Sequence, residues 1–307
     1  MRPTRHVTAV LLLAAFAAVG CSKRESAQAK PVTTPRESLA LKQTDDEGFS
    51  ANATPKITGP VSFADGEAAY QAKKYSDAIA IFEHYTEQRP DNAWGHFMLG
   101  LSAWKGGDLA KAENAFEKAL SIDPHHVKSL VNLSRVFIDQ KRHDDALDRL
   151  TRAADIDPDS TDVYRLLGRT YHAQGKTDEA VGAYRRAIEL DERDAWSMNN
   201  LGLLLLEKQR AGEALPLLAK AVELRNDVPA FHNNLGMALE HTGRFRAAAT
   251  AYAGALTADP GYDKAKQNLA RVEAVKGDRE EPFELDKAAK DSDEEGEISS
   301  DEKTASK

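Results

Sequence analysis

The stretch AWGHFMLGLSAWKGGDLAKAENAFEKALSIDPHH, residues 93–126, decides the fold, because its small, aromatic and proline positions recur every 34 residues from Gly59 to Tyr262 without insertion or deletion. With Gly59 as position 1, position 8 reads Gly66, Gly100, Ser134, Gly168, Gly202 and Gly236. Position 20 is alanine in all six units (Ala78, Ala112, Ala146, Ala180, Ala214, Ala248), and position 24 is large: Phe82, Phe116, Leu150, Tyr184, Leu218 and Tyr252. Position 27 reads Tyr85, then Ala119, Ala153, Ala187, Ala221 and Ala255; position 32 reads Pro90, Pro124, Pro158, Glu192, Asn226 and Pro260. A fixed period of this length marks tandem helical hairpins, each too small to bury its apolar face alone. Small residues at 8, 20 and 27 let two helices cross closely, large ones at 7, 11 and 24 fill the space between them, and proline closes the second helix. Gly107, Gly175 and Gly243 fall in the turn between the two helices.

This spacing resembles the tetratricopeptide repeat, and the resemblance covers about two thirds of the chain. It implies an all-α, right-handed superhelical solenoid of six helix-turn-helix units at 59–92, 93–126, 127–160, 161–194, 195–228 and 229–262. Repeat 1 departs from the pattern, with Asp65 where the others carry Leu99, Leu133, Leu167, Leu201 and Leu235, as befits a polar end. Residues 263–276 keep the phase of a first helix through Leu269 and Ala270 and read as a C-terminal capping helix. Residues 277–307 hold twelve Asp and Glu against five Lys and Arg, and read as an acidic disordered tail.

That tail carries −7 of the net −8, so the remainder is nearly neutral and lacks the basic stripe that tracks a phosphate backbone; nucleic acid is not expected as a partner. At the other end, Arg2 and Arg5 precede an uncharged run from Val7 to Val19, the n- and h-regions of an export signal over residues 1–20. The run is shorter than the ~20 apolar residues a membrane-spanning helix needs. It ends in Ala17-Ala18-Val19-Gly20-Cys21, which resembles the lipobox of bacterial lipoproteins and places the chain's one cysteine at the lipidation position. The resemblance implies acyl chains on Cys21, enough for stable anchoring, in the bacterial envelope. Ser22 follows, which in the enterobacterial pattern implies the outer membrane, facing the periplasm. Ala18 stands where that family most often has leucine. Residues 21–58 then read as the lipidated cysteine and a flexible, proline-punctuated tether.

In such a solenoid the first helix of each unit lines the concave face through positions 2, 5, 6, 9, 12 and 13. Position 6 gives Asn132, Asn200, Asn234 and, in the capping helix, Asn268, with Met98 and Leu166 interrupting; Asn199 and Asn233 stand beside two of them. Repeated amides can pair with the main chain of an extended peptide whatever its sequence. The arrangement resembles the asparagine ladder of the O-linked glycosyltransferase superhelix, although no glycosyltransferase domain follows. The alternative is that the amides solvate a helix face or bond a neighbouring repeat. A basic group, Lys128, Arg135, Arg165 and Arg169, could grip a carboxylate or could pair with acids such as Asp139 and Asp162. It resembles the carboxylate clamp of chaperone-binding repeats in chemistry but not in position, so that specificity does not carry over. An apolar stripe of Trp94, Phe97, Met98, Leu101 and Trp104, with Trp196 further on, offers anchors or packs between repeats.

No phosphate-binding glycine loop, His-Glu-x-x-His or Gly-x-Ser-x-Gly occurs, and the nine histidines are scattered apart from His125-His126, whose side chains diverge by about 100° on a helix. The expectation is a scaffold and not an enzyme, with no cofactor, no metal and no small-molecule substrate. Its partner is a protein or peptide of the cell envelope, held in the groove while the lipid on Cys21 holds the membrane. The alternative is a pilotin-like assembly factor, because type IV pilus lipoproteins also join a lipobox to six such repeats. A further expectation is that acids from Asp291 to Glu302 fold back on the basic group.

Overall fold

The computed structural model describes residues 61–275, 283–285 and 287–290; the export signal, Cys21, the tether and the acids beyond residue 290 lie outside the described residues. The described chain is a run of α-helices in consecutive hairpins. First helices are α1 (Phe63–Gln71), α3 (Ala93–Gly106), α5 (Val127–Asp139), α7 (Thr161–Ala173), α9 (Ala195–Glu207) and α11 (Pro229–His241). Second helices are α2 (Tyr75–Gln88), α4 (Leu109–Ile122), α6 (His143–Ile156), α8 (Thr177–Leu190), α10 (Ala211–Leu224) and α12 (Phe245–Ala258). Helix α13 (Asp263–Glu273) follows the sixth hairpin, and residues 287–290 are again helical. Each helix packs on the next, and successive first helices also touch, which is the solenoid expected from the period. Among the described residues no helix is long and apolar enough to cross a membrane.

The pairing of positions 8 and 24 explains the period. A Cβ added to Gly100 would sit 2.7 Å from the Phe116 ring, and one added to Gly236 would sit 2.5 Å from the Tyr252 ring. The large side chain of the second helix therefore lies flat against bare backbone of the first. Both rings are fully buried. The turn between helices demands more than its three glycines suggest. Lys73, Lys141 and Gln209 adopt the same left-handed conformation (φ 57°, 63° and 61°) as Gly107, Gly175 and Gly243 (φ 87°, 73° and 76°). The three side-chain-bearing residues hold it at a cost of about 1 kcal/mol each.

Asp65 has a local cause. It is exposed, and it forms a capping box with Ser62: its carboxylate accepts from the Ser62 N–H at 2.9 Å while its own N–H donates to Ser62 Oγ at 3.2 Å.

The folded body does not end at Lys276. Ala289 has no exposed surface, and Phe283, Leu285 and Ala288 pack partly buried against the C-terminal core cluster. The expectation of a free tail over 277–307 is corrected for these residues. Their four apolar side chains lie among acids, so an average over the segment hides a stretch able to cover the end of the array. Among the described residues most of the buried core falls into two clusters, one from Ala78 to Ala183 and one from Ala180 to Ala289. They meet in α8, and Tyr171 packs against both.

Candidate functional site

Four successive first helices build one recess of about 260 Å³, lined by Trp104 of α3, Arg135 and Asp139 of α5, Arg165, Leu166 and Arg169 of α7, and Trp196 and Asn200 of α9. The 34-residue period stacks equivalent positions, so arginines at position 9 of α5 and α7 come alongside Arg165. A larger recess of about 490 Å³ is formed within one hairpin by residues such as His96, Lys111, Asn114 and Lys118. It draws on two helices and carries no aromatic other than His96. Convergence of aromatic and charged groups from four helices makes the smaller recess the candidate site.

Carboxylates position the three guanidiniums. Arg165 pairs with Asp162 and donates from Nη1 to Asp194 Oδ1 at 2.9 Å. Asp194 is buried, precedes α9, and also accepts from Ser197 Oγ at 2.5 Å, so Arg165 ties the fourth hairpin to the fifth. Arg135 Nη2 lies 3.3 Å from Asp162 Oδ2, while its Nε is buried with no hydrogen-bond partner. Burial, together with the Arg165 and Arg169 guanidiniums, pulls Arg135 below the usual arginine range. Arg169 is the loosest of the three. Its side chain is 56% exposed and stands 4.0 Å from Asp139 Oδ1, whose other oxygen accepts from Trp104 Nε1 at 2.9 Å. Surface pairs of this kind contribute about 0–1 kcal/mol, so an incoming carboxylate can compete for Arg169.

The asparagines do something different from what their spacing promises. Asn268 Nδ2 donates to Asn233 Oδ1 at 2.9 Å, and Asn234 Nδ2 donates to Asn199 Oδ1 at 2.9 Å. Within each pair Asn233 and Asn199 turn back to Asn234 and Asn200 at 3.5 and 3.3 Å. A chain of amides thus staples α13, α11 and α9 together. Asn199 and Asn233 are buried, 6% and 3% exposed, which corrects their assignment to an open groove: position 5 faces the neighbouring hairpin. Asn132 donates to the Lys128 carbonyl of its own helix at 2.8 Å. Of the asparagines named, Asn200 alone lines the recess.

Among the aromatics, Trp196 is 44% exposed, leaning edge-on against Phe231 with ring centroids 4.9 Å apart, and it forms one wall of the recess. Trp94 is 39% exposed and lies under the Lys128 ammonium, 4.9 Å from the ring centroid. Phe97 is a correction: it is buried in the N-terminal cluster against Phe116 and His126, so it is core and offers no groove surface. Trp94 and Lys128 form a patch that does not line the recess. Sequence reasoning missed Asp194 and Lys105, the latter standing 4.3 Å over the Trp104 ring.

Residues 103–170, 168–209 and 199–263 match three models of the tetratricopeptide repeat. A 51-residue stretch is 45% identical to the Hsp70-Hsp90 organizing protein of Triticum aestivum, spanning 17% of this chain and only 9% of that protein. Among solved structures, the Cut9-Hcn1 hetero-tetramer of the APC/C superposes on 68% of this chain and 42% of that one, with TM-score 0.59 and 19% identity. Pseudomonas aeruginosa pilF superposes on 65% of this chain and 87% of its own, with TM-score 0.55 and 20% identity. At these identities the likeness is one of fold.

Proposed function

The chain belongs to the tetratricopeptide repeat family, whose members are protein-interaction scaffolds, and from that premise we propose that it holds an extended segment of a partner protein in the recess on its first helices. The observation that carries this reading is the convergence there of Trp104, Trp196, Asn200 and three arginines from helices far apart in sequence. A carboxylate of the partner meets Arg169, an apolar residue lies on Trp196, and Asn200 offers an amide to its main chain.

The second half of the proposal concerns place. The basic and apolar run before Cys21 supports a lipid-anchored protein of the bacterial envelope, in which the array is held at the outer membrane on its tether. Cys21→Ser should release the chain from the membrane fraction, and continued sedimentation with membranes would refute the anchor. For the groove, Trp196→Ala with Arg169→Ala should abolish partner capture from detergent-solubilised envelopes while helicity is retained. Unchanged capture would refute it. Finding a secretin or pilus subunit as the captured partner would turn the proposal toward an assembly factor.

A further inference from the structure

The lining of the recess carries surplus positive charge. Arg135, Arg165 and Arg169 face Asp139, Asp162 and Asp194, while Lys105 and Lys128 stand over the rings of Trp104 and Trp94. In the lining itself three arginines meet one carboxylate, Asp139, while Asp162 and Asp194 brace the guanidiniums from outside it.

The second observation is where the chain leaves the folded body. Burial of Ala289 against the C-terminal cluster pins the backbone there, so whatever follows Lys290 starts from a fixed point on the array. The next twelve residues, Asp291 to Glu302, contain seven Asp and Glu and no Lys or Arg. They lie outside the described residues. Extended, twelve residues reach about 40 Å. Successive first helices from α7 to α13 touch one another, so at about 10 Å per step the recess is about 30 Å from α13.

We infer that Asp291–Glu302 is a tethered occupant of the recess: it folds back along the first helices, sets its carboxylates against Arg169, Arg135 and Arg165, and is displaced when the partner binds. The inference rests on the reading of the recess as a binding surface. Attachment at Ala289 raises the local concentration of the acidic segment at the recess to the millimolar range, so weak contacts suffice for occupancy. The consequence is a threshold: a partner must outcompete the chain's own acids.

The chain's three tryptophans, Trp94, Trp104 and Trp196, all sit on this face, so intrinsic fluorescence reports on it. The test compares the full chain with one ending at Lys290, which keeps the packed segment around Ala289. A synthetic peptide of residues 291–302 is titrated into each at low and high salt. The shortened chain should bind the peptide saturably, with affinity falling as salt screens the contacts. The full chain should bind it about tenfold or more weakly, because the attached copy competes. Arg169→Ala, an exposed position whose change leaves circular dichroism intact, should weaken the peptide about tenfold, a loss typical of a binding hot spot. Equal binding by full and shortened chains would overturn the inference, as would undiminished binding of a peptide with every Asp and Glu made amide. Full-chain emission that varies with protein concentration would put the segment in the recess of a second copy and overturn the assignment within one chain. Partner capture separates the two readings. If both chains capture equally and capture still needs Trp196, the tethered occupant falls and the recess stands; if capture ignores Trp196, the recess itself falls.

Discussion

Asn233→Ala distinguishes an amide chain that holds the array together from one that meets a ligand. Asn233 is 3% exposed, accepts from Asn268 at 2.9 Å, and its own amide reaches Asn234 at 3.5 Å and Met237 Sδ at 3.6 Å. Alanine removes one well-formed hydrogen bond, worth about 1 kcal/mol, and two long contacts worth less. Asn268 is partly exposed and can turn to water, so the full penalty of an unpaired buried amide does not apply. With a small void added, the loss is about 1–2 kcal/mol. For a cooperative unit of this size that corresponds to a fall in Tm of roughly 2–8 °C. Because neighbouring hairpins carry the stability of a solenoid, the loss concentrates at the end, and hydrogen exchange of α13 amides should rise more than that of α5. Unchanged melting and unchanged α13 exchange, together with lost partner binding, would refute the stapling role and return the asparagines to the ligand.

Three further outcomes follow from the geometry. Gly236→Ala drives a methyl group to 2.5 Å from the buried Tyr252 ring and should destabilise by about 1–3 kcal/mol in thermal melts, with Ala at the exposed Gly182 as the control without contacts. Glu240 is held below the ordinary glutamate value of 4.5, first by its hydrogen bond from Arg271, which is bidentate at 2.9 and 2.7 Å, and then by Tyr252. A depressed carboxyl contributes stability that is present above pH 4.5 and lost as pH falls through its lower folded value, so the protection of α13 amides, relative to the intrinsic exchange rate at each pH, should fall in acid. Glu240→Gln should flatten that dependence. Ending the chain at Lys276 strips the cover provided by Phe283, Leu285 and Ala289, and should lower stability by about 1–3 kcal/mol and promote self-association in light scattering, whereas ending it at Lys290 should do neither.

Most of the architecture was legible because a 34-residue period fixes which residues must touch: Gly100 with Phe116 and Gly236 with Tyr252 are position 8 meeting position 24. The left-handed turn was half legible, since glycine marks it at Gly107 and nothing marks it at Lys73, Lys141 or Gln209. Site residues were harder. Positions 5 and 6 differ by 100° on a helix, and the boundary between groove and inter-hairpin contact runs between them. Asn200 therefore reaches the recess while Asn199 and Phe97 are buried. Asp194 reads as an ordinary residue at a helix start until Arg165, 29 residues earlier, is seen against it. Phe283 to Ala289 was hidden by the acids around it, because net charge averages over a segment whereas burial acts on single side chains.

The central claim is that a partner segment lies on the first-helix recess. A photo-cross-linking amino acid placed at Asn200, within that recess, and separately at Asn114, within the larger recess of the α3–α4 hairpin, tests it in living cells. Position 200 should give a discrete adduct that Arg169→Ala removes, and position 114 none. An adduct from position 114 with none from position 200 would contradict the account.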